Sequence, residues 1–98
     1  MNDIEIAKTI SHQIGHKSLY MIGAKNLVAQ KNGISFKIGR NSKSVNYIQI
    51  TLNALDLYKI TFGCISAKGY KVISEVENIY FDQLNDMIER YTGLYTHL

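Results

Sequence analysis

Proline is absent from this 98-residue chain, and cysteine occurs once, as Cys64. A lone thiol cannot close an internal disulfide. No apolar run approaches the ~20 residues that a membrane-spanning helix needs, and the chain opens with no basic-then-apolar leader, so a cytosolic protein without a membrane segment is expected. Acidic residues are missing altogether between Lys17 and Val45, a stretch that carries Lys17, Lys25, Lys31, Lys37, Arg40 and Lys43. Catalytic constellations are missing too. The chain offers no Ser-His-Asp order, no paired glutamates and no clustered metal ligands, so a non-enzymatic protein without a cofactor is expected.

What is present describes an ordinary folded domain. With 46% hydrophobic and 19% charged residues, the composition is globular rather than disordered. A chain of this length makes one domain and buries roughly 65% of the surface its unfolded form would expose. The net charge of +3 is mild. Its distribution is uneven, because Glu75, Glu77, Asp82, Asp86 and Glu89 balance the basic middle segment from the other end.

The clearest structural signal lies between Val45 and Ile65. Ile48, Ile50 and Leu52 alternate with Tyr47, Gln49 and Thr51, and Tyr58, Ile60, Phe62 and Cys64 alternate with Lys59 and Thr61. Two half-buried antiparallel strands are predicted, joined by a turn containing Asn53 and Asp56, whose side chains suit the capping of backbone amides. An earlier hairpin is predicted from Leu27-Val28-Ala29, a Lys31-Asn32-Gly33 turn, and Ile34, Phe36 and Ile38 alternating with Ser35 and Lys37. Tyr70 to Ser74 supplies a further strand after the Ser66–Gly69 turn.

Helices are expected at both ends. Asn2 and Glu5 form a capping pair, Ile6, Ala7, Ile10 and Ile14 recur at helical spacing, and Gly15 is a stop. Asn78 is the expected cap of a terminal helix with Phe81, Leu84, Ile88 and Tyr91 on one face and Asn85 and Glu89 turned to solvent. Gly93 ends it, and Leu94 to Leu98 should dock. Residues 16–25 give no clear pattern and read as irregular. The predicted fold is therefore α+β: a four- to five-stranded antiparallel meander with an N-terminal and a C-terminal helix packed on one face, in the order α-β-β-β-β-β-α.

Candidate sites are few. His12 and His16 have the spacing of two metal ligands on a helix, but Gln13 stands where a zinc-protease motif needs Glu, and Gly15 threatens the helix between them; two solvated histidines are the simpler reading. Cys64 falls in the apolar register and reads as a small core residue. The connection from Gly39 to Ser44 is the leading functional candidate. Arg40, Asn41, Ser42, Lys43 and Ser44 could offer cations, hydroxyls and backbone amides to a phosphate, although the loop lacks the second glycine and the GK[ST] ending of a P-loop, and a solvated connection is the simpler reading. Tyr47, on the polar face of its strand, is an aromatic placed for base stacking or a protein contact. A meander leaves an edge strand unpaired, which a homodimer would bury or charges such as Lys71 and Glu75 would protect.

The run MIGAKNLVAQKNGISFKIGRNSKSVNYIQITLNALDLYKITFG, together with the closing FDQLNDMIERYTGLYTHL, resembles a family of small proteins encoded by bacteriophages, prophages and other mobile elements. The likeness runs from the first helix to the TGLYTHL tail and carries no catalytic signature. Small phage proteins of this kind act by occupying a host protein, including subunits of CRISPR or other defence systems, or by binding nucleic acid or a signalling nucleotide. The resemblance thus implies a non-enzymatic binding protein of the host cytoplasm, an inhibitor of a host defence system whose partner is a host protein or a nucleotide-type ligand. The alternative is a nucleic-acid-binding accessory protein using the basic loop.

Overall fold

The computed structural model describes residues 2–96. Helix α1 spans Asp3–Ile14, with the Asn2 carboxamide oxygen accepting the Glu5 backbone N–H at 2.8 Å. Its buried stripe is Ile6, Ala7, Ile10 and Ile14, as the spacing predicts. Gly15 ends it at φ +94°, donating its N–H to the Ser11 carbonyl at 2.9 Å. The chain then does what the pattern did not announce. Residues His16–Met21 form a second short helix, α2, held by burial of Leu19 and of Ile22 just past its end. Six residues are too few to display a periodicity or to be stable alone, so tertiary packing decides their conformation. The break at Gly15 also puts His12 and His16 on different helices, both exposed, which removes the shared helical face a metal pair needs.

Five strands follow in a single antiparallel sheet ordered as in sequence: β1 (Lys25–Gln30), β2 (Gly33–Lys37), β3 (Tyr47–Leu52), β4 (Tyr58–Ser66) and β5 (Gly69–Ile79). Register aligns the aliphatic positions in rows across the strands. Ala29, Ile34, Ile50, Ile60 and Val76 make one row, and Phe36, Ile48 and Phe62 the next. Alternation then turns Ser35, Lys37, Tyr47, Gln49, Thr51, Lys59 and Thr61 to the other face. In the β1–β2 hairpin Asn32 takes the left-handed conformation at φ +59°, whereas Gly33 does not. Glycine is required at 33 for another reason: a Cβ there would overlap the Ile50 carbonyl oxygen of the neighbouring strand.

Both edge strands are bulged. β1 carries one residue more than β2 between the Lys25–Lys37 and Val28–Ser35 pairs, and Asn26 stands there at φ +56°. β5 carries one extra residue opposite Phe62 and Gly63, and another between its pairings with Ile60 and Tyr58, where Asn78 stands at φ +59°. Asn78 is therefore a bulge residue and not the expected helix cap. β5 runs on to Ile79, past the predicted Ser74. Tyr80 leads instead into a single 3-10 turn, Phe81–Gln83, with its N–H donated to the Gln83 side chain at 3.0 Å.

The terminal helix α3 spans Leu84–Thr92 and buries Leu84, Ile88 and Thr92, while Tyr91 stacks on Phe62 at 5.1 Å between ring centroids. The 3-10 turn rotates Phe81 out of the apolar stripe, leaving it 60% exposed. Asn85 turns inward, with its amide donating to the Ile14 carbonyl at 3.2 Å. Gly93 closes α3 at φ +77°, and the tail then docks: Thr96 is buried, and its N–H and hydroxyl donate to the Glu89 carboxylate at 2.8 and 3.0 Å. Glu89 thus serves the tail and does not simply face solvent. His97 and Leu98, the end of the expected docked segment, lie outside the described residues.

The α+β architecture is the predicted one, with α1 lying over β1 and β2 and α3 beside it over Phe62. Burying each of the central Ile and Phe side chains contributes about 1.5–3 kcal/mol. Tyr58 closes this core, its hydroxyl donating to the Gln13 carboxamide oxygen at 2.7 Å. Burial pushes its phenol above the ordinary tyrosine value, with the Gln13 bond opposing and the Asp56 carboxylate adding to the shift.

Two predictions follow from this packing. Gly33→Ala should lower stability by about 1–3 kcal/mol through overpacking against β3, seen as a lower midpoint in urea denaturation; an unchanged midpoint would show that the strands part freely there. For Tyr58 the unfolded phenol loses its proton first, so its contribution is intact below about pH 10 and is lost as pH rises through the higher folded value. Tyr58→Phe should flatten the alkaline limb of the stability profile.

Candidate binding surface

The connection between β2 and β3 is built around one side chain. The Asn41 amide nitrogen donates to the carbonyls of Gly39 at 2.9 Å and Val45 at 2.5 Å, and its oxygen accepts the backbone N–H groups of Lys43 and Val45, both at 3.1 Å. Asparagine can do this because it carries two donors and an acceptor on one short stem. Ser44 takes φ +60° and donates its N–H back to the Asn41 carbonyl at 3.3 Å. Val45 is buried, and the Asn46 side chain pairs with both the N–H and the carbonyl of Ile65 at 2.7 and 2.8 Å. The loop is an ordered clasp. Its amides at 43, 44 and 45 are spent internally, so it does not present the expected amide cradle to a phosphate.

Arg40, Asn41 and Ser44 line a groove of about 390 Å³ together with Val45, Asn46 and Cys64. Cys64 is half-buried at this margin and is not the core residue its register suggests, because its position lies beyond the last residues that the helices cover. Ser42 stands apart, against the C-terminal end of α3, where a Cβ on Gly93 would come within 3.1 Å of its Oγ. Lys43 and Arg40 are exposed, and neither has an acidic partner among the described residues.

Tyr47 lies on the uncovered face of the sheet and is half-buried there. Its hydroxyl accepts a hydrogen bond from the Gln30 side chain at 3.2 Å, and its ring meets Tyr70 edge to face at 5.7 Å and 83°. The exposed aromatic of this face is Tyr70, 49% accessible, whose ring lies over Gly63: a Cβ on that glycine would come within 2.5 Å of Tyr70 Cε1. An aromatic ring covering a strand glycine replaces the packing that the glycine lacks. Burial raises the Tyr70 phenol above its ordinary pKa, and Tyr47 and the Glu75 carboxylate add to the shift, so the ring is neutral at physiological pH.

Register adds the residues that inspection of the loop alone misses. Lys25 pairs with Lys37, Lys37 with Tyr47, Tyr47 with Gly63, and Gly63 with Val72, so two lysines, Tyr47 and an apolar position stand in one row, and Tyr70, whose strand partner is Ile65, lays its ring over Gly63 from beside it. Lys37 then leads through Ile38 and Gly39 to Arg40. Beside this row Gln30 donates to the Ser35 hydroxyl at 2.8 Å and accepts from Gln49 at 2.5 Å, fixing the polar centre of the face. Lys59 lies 3.7 Å from Glu75 and 3.8 Å from Glu77 and offsets one of the two negative charges at that far corner. The pairing was recoverable in principle from alternation and turn lengths, since each hairpin turn sets which residues face each other.

Asn41→Ala should cost about 1–3 kcal/mol, because it strips partners from several backbone groups at once, whereas Lys43→Ala should change stability by less than about 0.5 kcal/mol. Chemical denaturation of the two variants checks both, and equal effects would deny Asn41 its organising part. Comparison with protein-family models, with curated proteins and with solved structures finds no match to this chain.

Proposed function

We propose that this chain is a non-catalytic binding module whose uncovered sheet face takes a single-stranded nucleic acid. The observation that carries the reading is the row Lys25–Lys37–Tyr47, ending at the Tyr70 ring and continued by the unpaired cations Arg40 and Lys43. An open antiparallel sheet with aromatic rings beside cations suits unstacked bases, since rings stack on bases while lysine and arginine neutralise phosphates. Lys59 holds Glu75 and Glu77 close to a counter-charge, which limits their repulsion of a polyanion.

A protein partner is the second reading, in keeping with the inhibitor of a host defence system that the phage resemblance implies. It is favoured by the adjacency of Tyr70 to Ile65, 39% exposed, and Val72, 45% exposed, on the same face. Exposed aromatic and aliphatic groups in one patch are the usual anchors of a protein interface.

Salt separates the two. Four phosphate contacts predict a slope of about −3 in log affinity against log salt for a single strand, falling by about 0.7 for each of Lys25→Ala and Lys37→Ala. Tyr70→Ala should weaken binding about 5- to 150-fold, the loss of about 1–3 kcal/mol of stacking. Fluorescence anisotropy with an oligothymidylate reads all of these. Absence of any salt-sensitive complex near 50 mM salt would sink the nucleic-acid reading and leave the protein partner.

A further inference from the structure

A second concavity, about 340 Å³, lies away from that face, between α1, the β3–β4 turn and the 3-10 turn. Ile6, Leu52 and Phe81 supply apolar walls, and Gln13, Tyr58 and Asp56 polar groups. Its size falls at the lower end of the range for small-ligand pockets. Three features set its chemistry.

The first is Asp56. Its side chain was expected to cap the turn, but Asn53 does that, accepting the N–H groups of Leu55 at 2.8 Å and Leu57 at 3.1 Å through its side chain. Asp56 donates only its backbone N–H, to the Asn53 carbonyl at 3.1 Å, and its exposed carboxylate has no ion pair or hydrogen bond among the described residues. It is held at φ +61° by a turn whose other bonds belong to Asn53. Aspartate tolerates that left-handed position, so the turn needs nothing more from the carboxylate, which lines the concavity.

The second is Phe81, which the 3-10 turn holds out of the core at the same concavity. Phe81 and Asp56 thus line one concavity, and an exposed aromatic ring together with a free carboxylate suits an organic cation, because the ring quadrupole and the carboxylate both favour positive charge. The third is the floor. Tyr58 is buried with its hydroxyl bonded to Gln13, and the Ile6 and Leu52 side chains line the wall, so an aliphatic stem can be buried beneath a charged head. None of the residues lining this concavity is cationic, and Lys8, the neighbour of Thr9 in sequence, lines the separate groove beside β1.

We infer that this pocket binds an organic cation, an ammonium or guanidinium carried on an aliphatic stem, with Asp56 as its counter-ion and Phe81 as its ring contact. The site is separate from the uncovered sheet face and stands whether or not that face binds nucleic acid.

Butylguanidinium is the probe, titrated into the full chain and followed by amide NMR shifts, with n-butanol as the uncharged control. Saturable shifts confined to Thr9, Gln13, Asp56, Tyr58 and Phe81, absent with butanol, are expected. Asp56→Asn retains the left-handed turn, which asparagine tolerates, and should weaken binding at least about fivefold. Phe81→Leu retains the apolar wall and should weaken it about two- to fivefold. Equal binding of butanol, or an Asp56→Asn variant that folds and binds unchanged, overturns the proposal. A blocked Gly-Arg-Gly peptide distinguishes the source: tighter binding than butylguanidinium assigns the pocket to a partner protein's side chain, and equal or weaker binding assigns it to a free small organic cation.

Discussion

The structure depends on the register that aligns Ile34, Ile50 and Ile60 in one row and Phe36, Ile48 and Phe62 in the next. A slip of one residue anywhere would turn these side chains to water and bring Tyr47, Gln49, Lys59 and Thr61 under the helices. Once the rows are set, α1 and α3 have one apolar floor to cover. Each helix needs only a narrow stripe, which is why α3 can be nine residues long and still bury Leu84, Ile88 and Thr92. The same register creates the exposed face. No helix among the described residues covers the other side of the sheet, which carries polar, cationic and aromatic side chains.

An uncovered sheet with two free edges risks pairing with other copies. Here each edge strand is bent by bulges, with asparagine supplying the left-handed conformation at Asn26 and at Asn78. Bulges interrupt the regular spacing of free N–H and carbonyl groups that another strand would read. The geometry also shapes function. The bulge at Asn26 lies next to Lys25, and the one opposite Phe62 and Gly63 lies between Val72 and Ser74, so both deformations border the row of Lys25, Lys37, Tyr47 and Val72.

Much of this was legible in the sequence because it is local or strictly periodic. α1, both hairpins and the αL stop at Gly93 each announce themselves within a few residues. What escaped was decided by distant contacts. α2 exists because Leu19 and Ile22 find a core, and Asn78 looked like a cap because asparagine serves both, through its side-chain acceptor at a cap and through its tolerance of positive φ at a bulge. Phe81 fitted the apolar stripe only on the assumption of a continuous α-helix, and a 3-10 turn shifts its direction. Among the candidate site residues, Arg40 and Lys43 stand free as composition suggested. Asn41 and Tyr47 do not, since hydrogen-bond partners supplied by the fold occupy their polar atoms. Lys25 and Lys37 became visible only when strand pairing set them in one row with Tyr47, and Tyr70 only when its ring was found over Gly63 of that row.

The uncovered face and the Asp56 pocket share the β3–β4 hairpin but use opposite sides of it. Thr51 and Lys59 pair on the uncovered side, and Leu52 and Tyr58 pair on the covered side that forms the pocket floor. Ligands on the two sides would therefore touch different side chains of a stiff, fully paired hairpin. Coupling between them requires an element with two arrangements that both ligands bias. The Asn53 clasp ties the turn at three backbone positions and leaves it one conformation, and the core rows fix the strands below it. If both surfaces bind as proposed, the architecture favours two independent sites of opposite charge on one small scaffold, a cationic one on the bare sheet and an anionic one beside α1, over a switch between them.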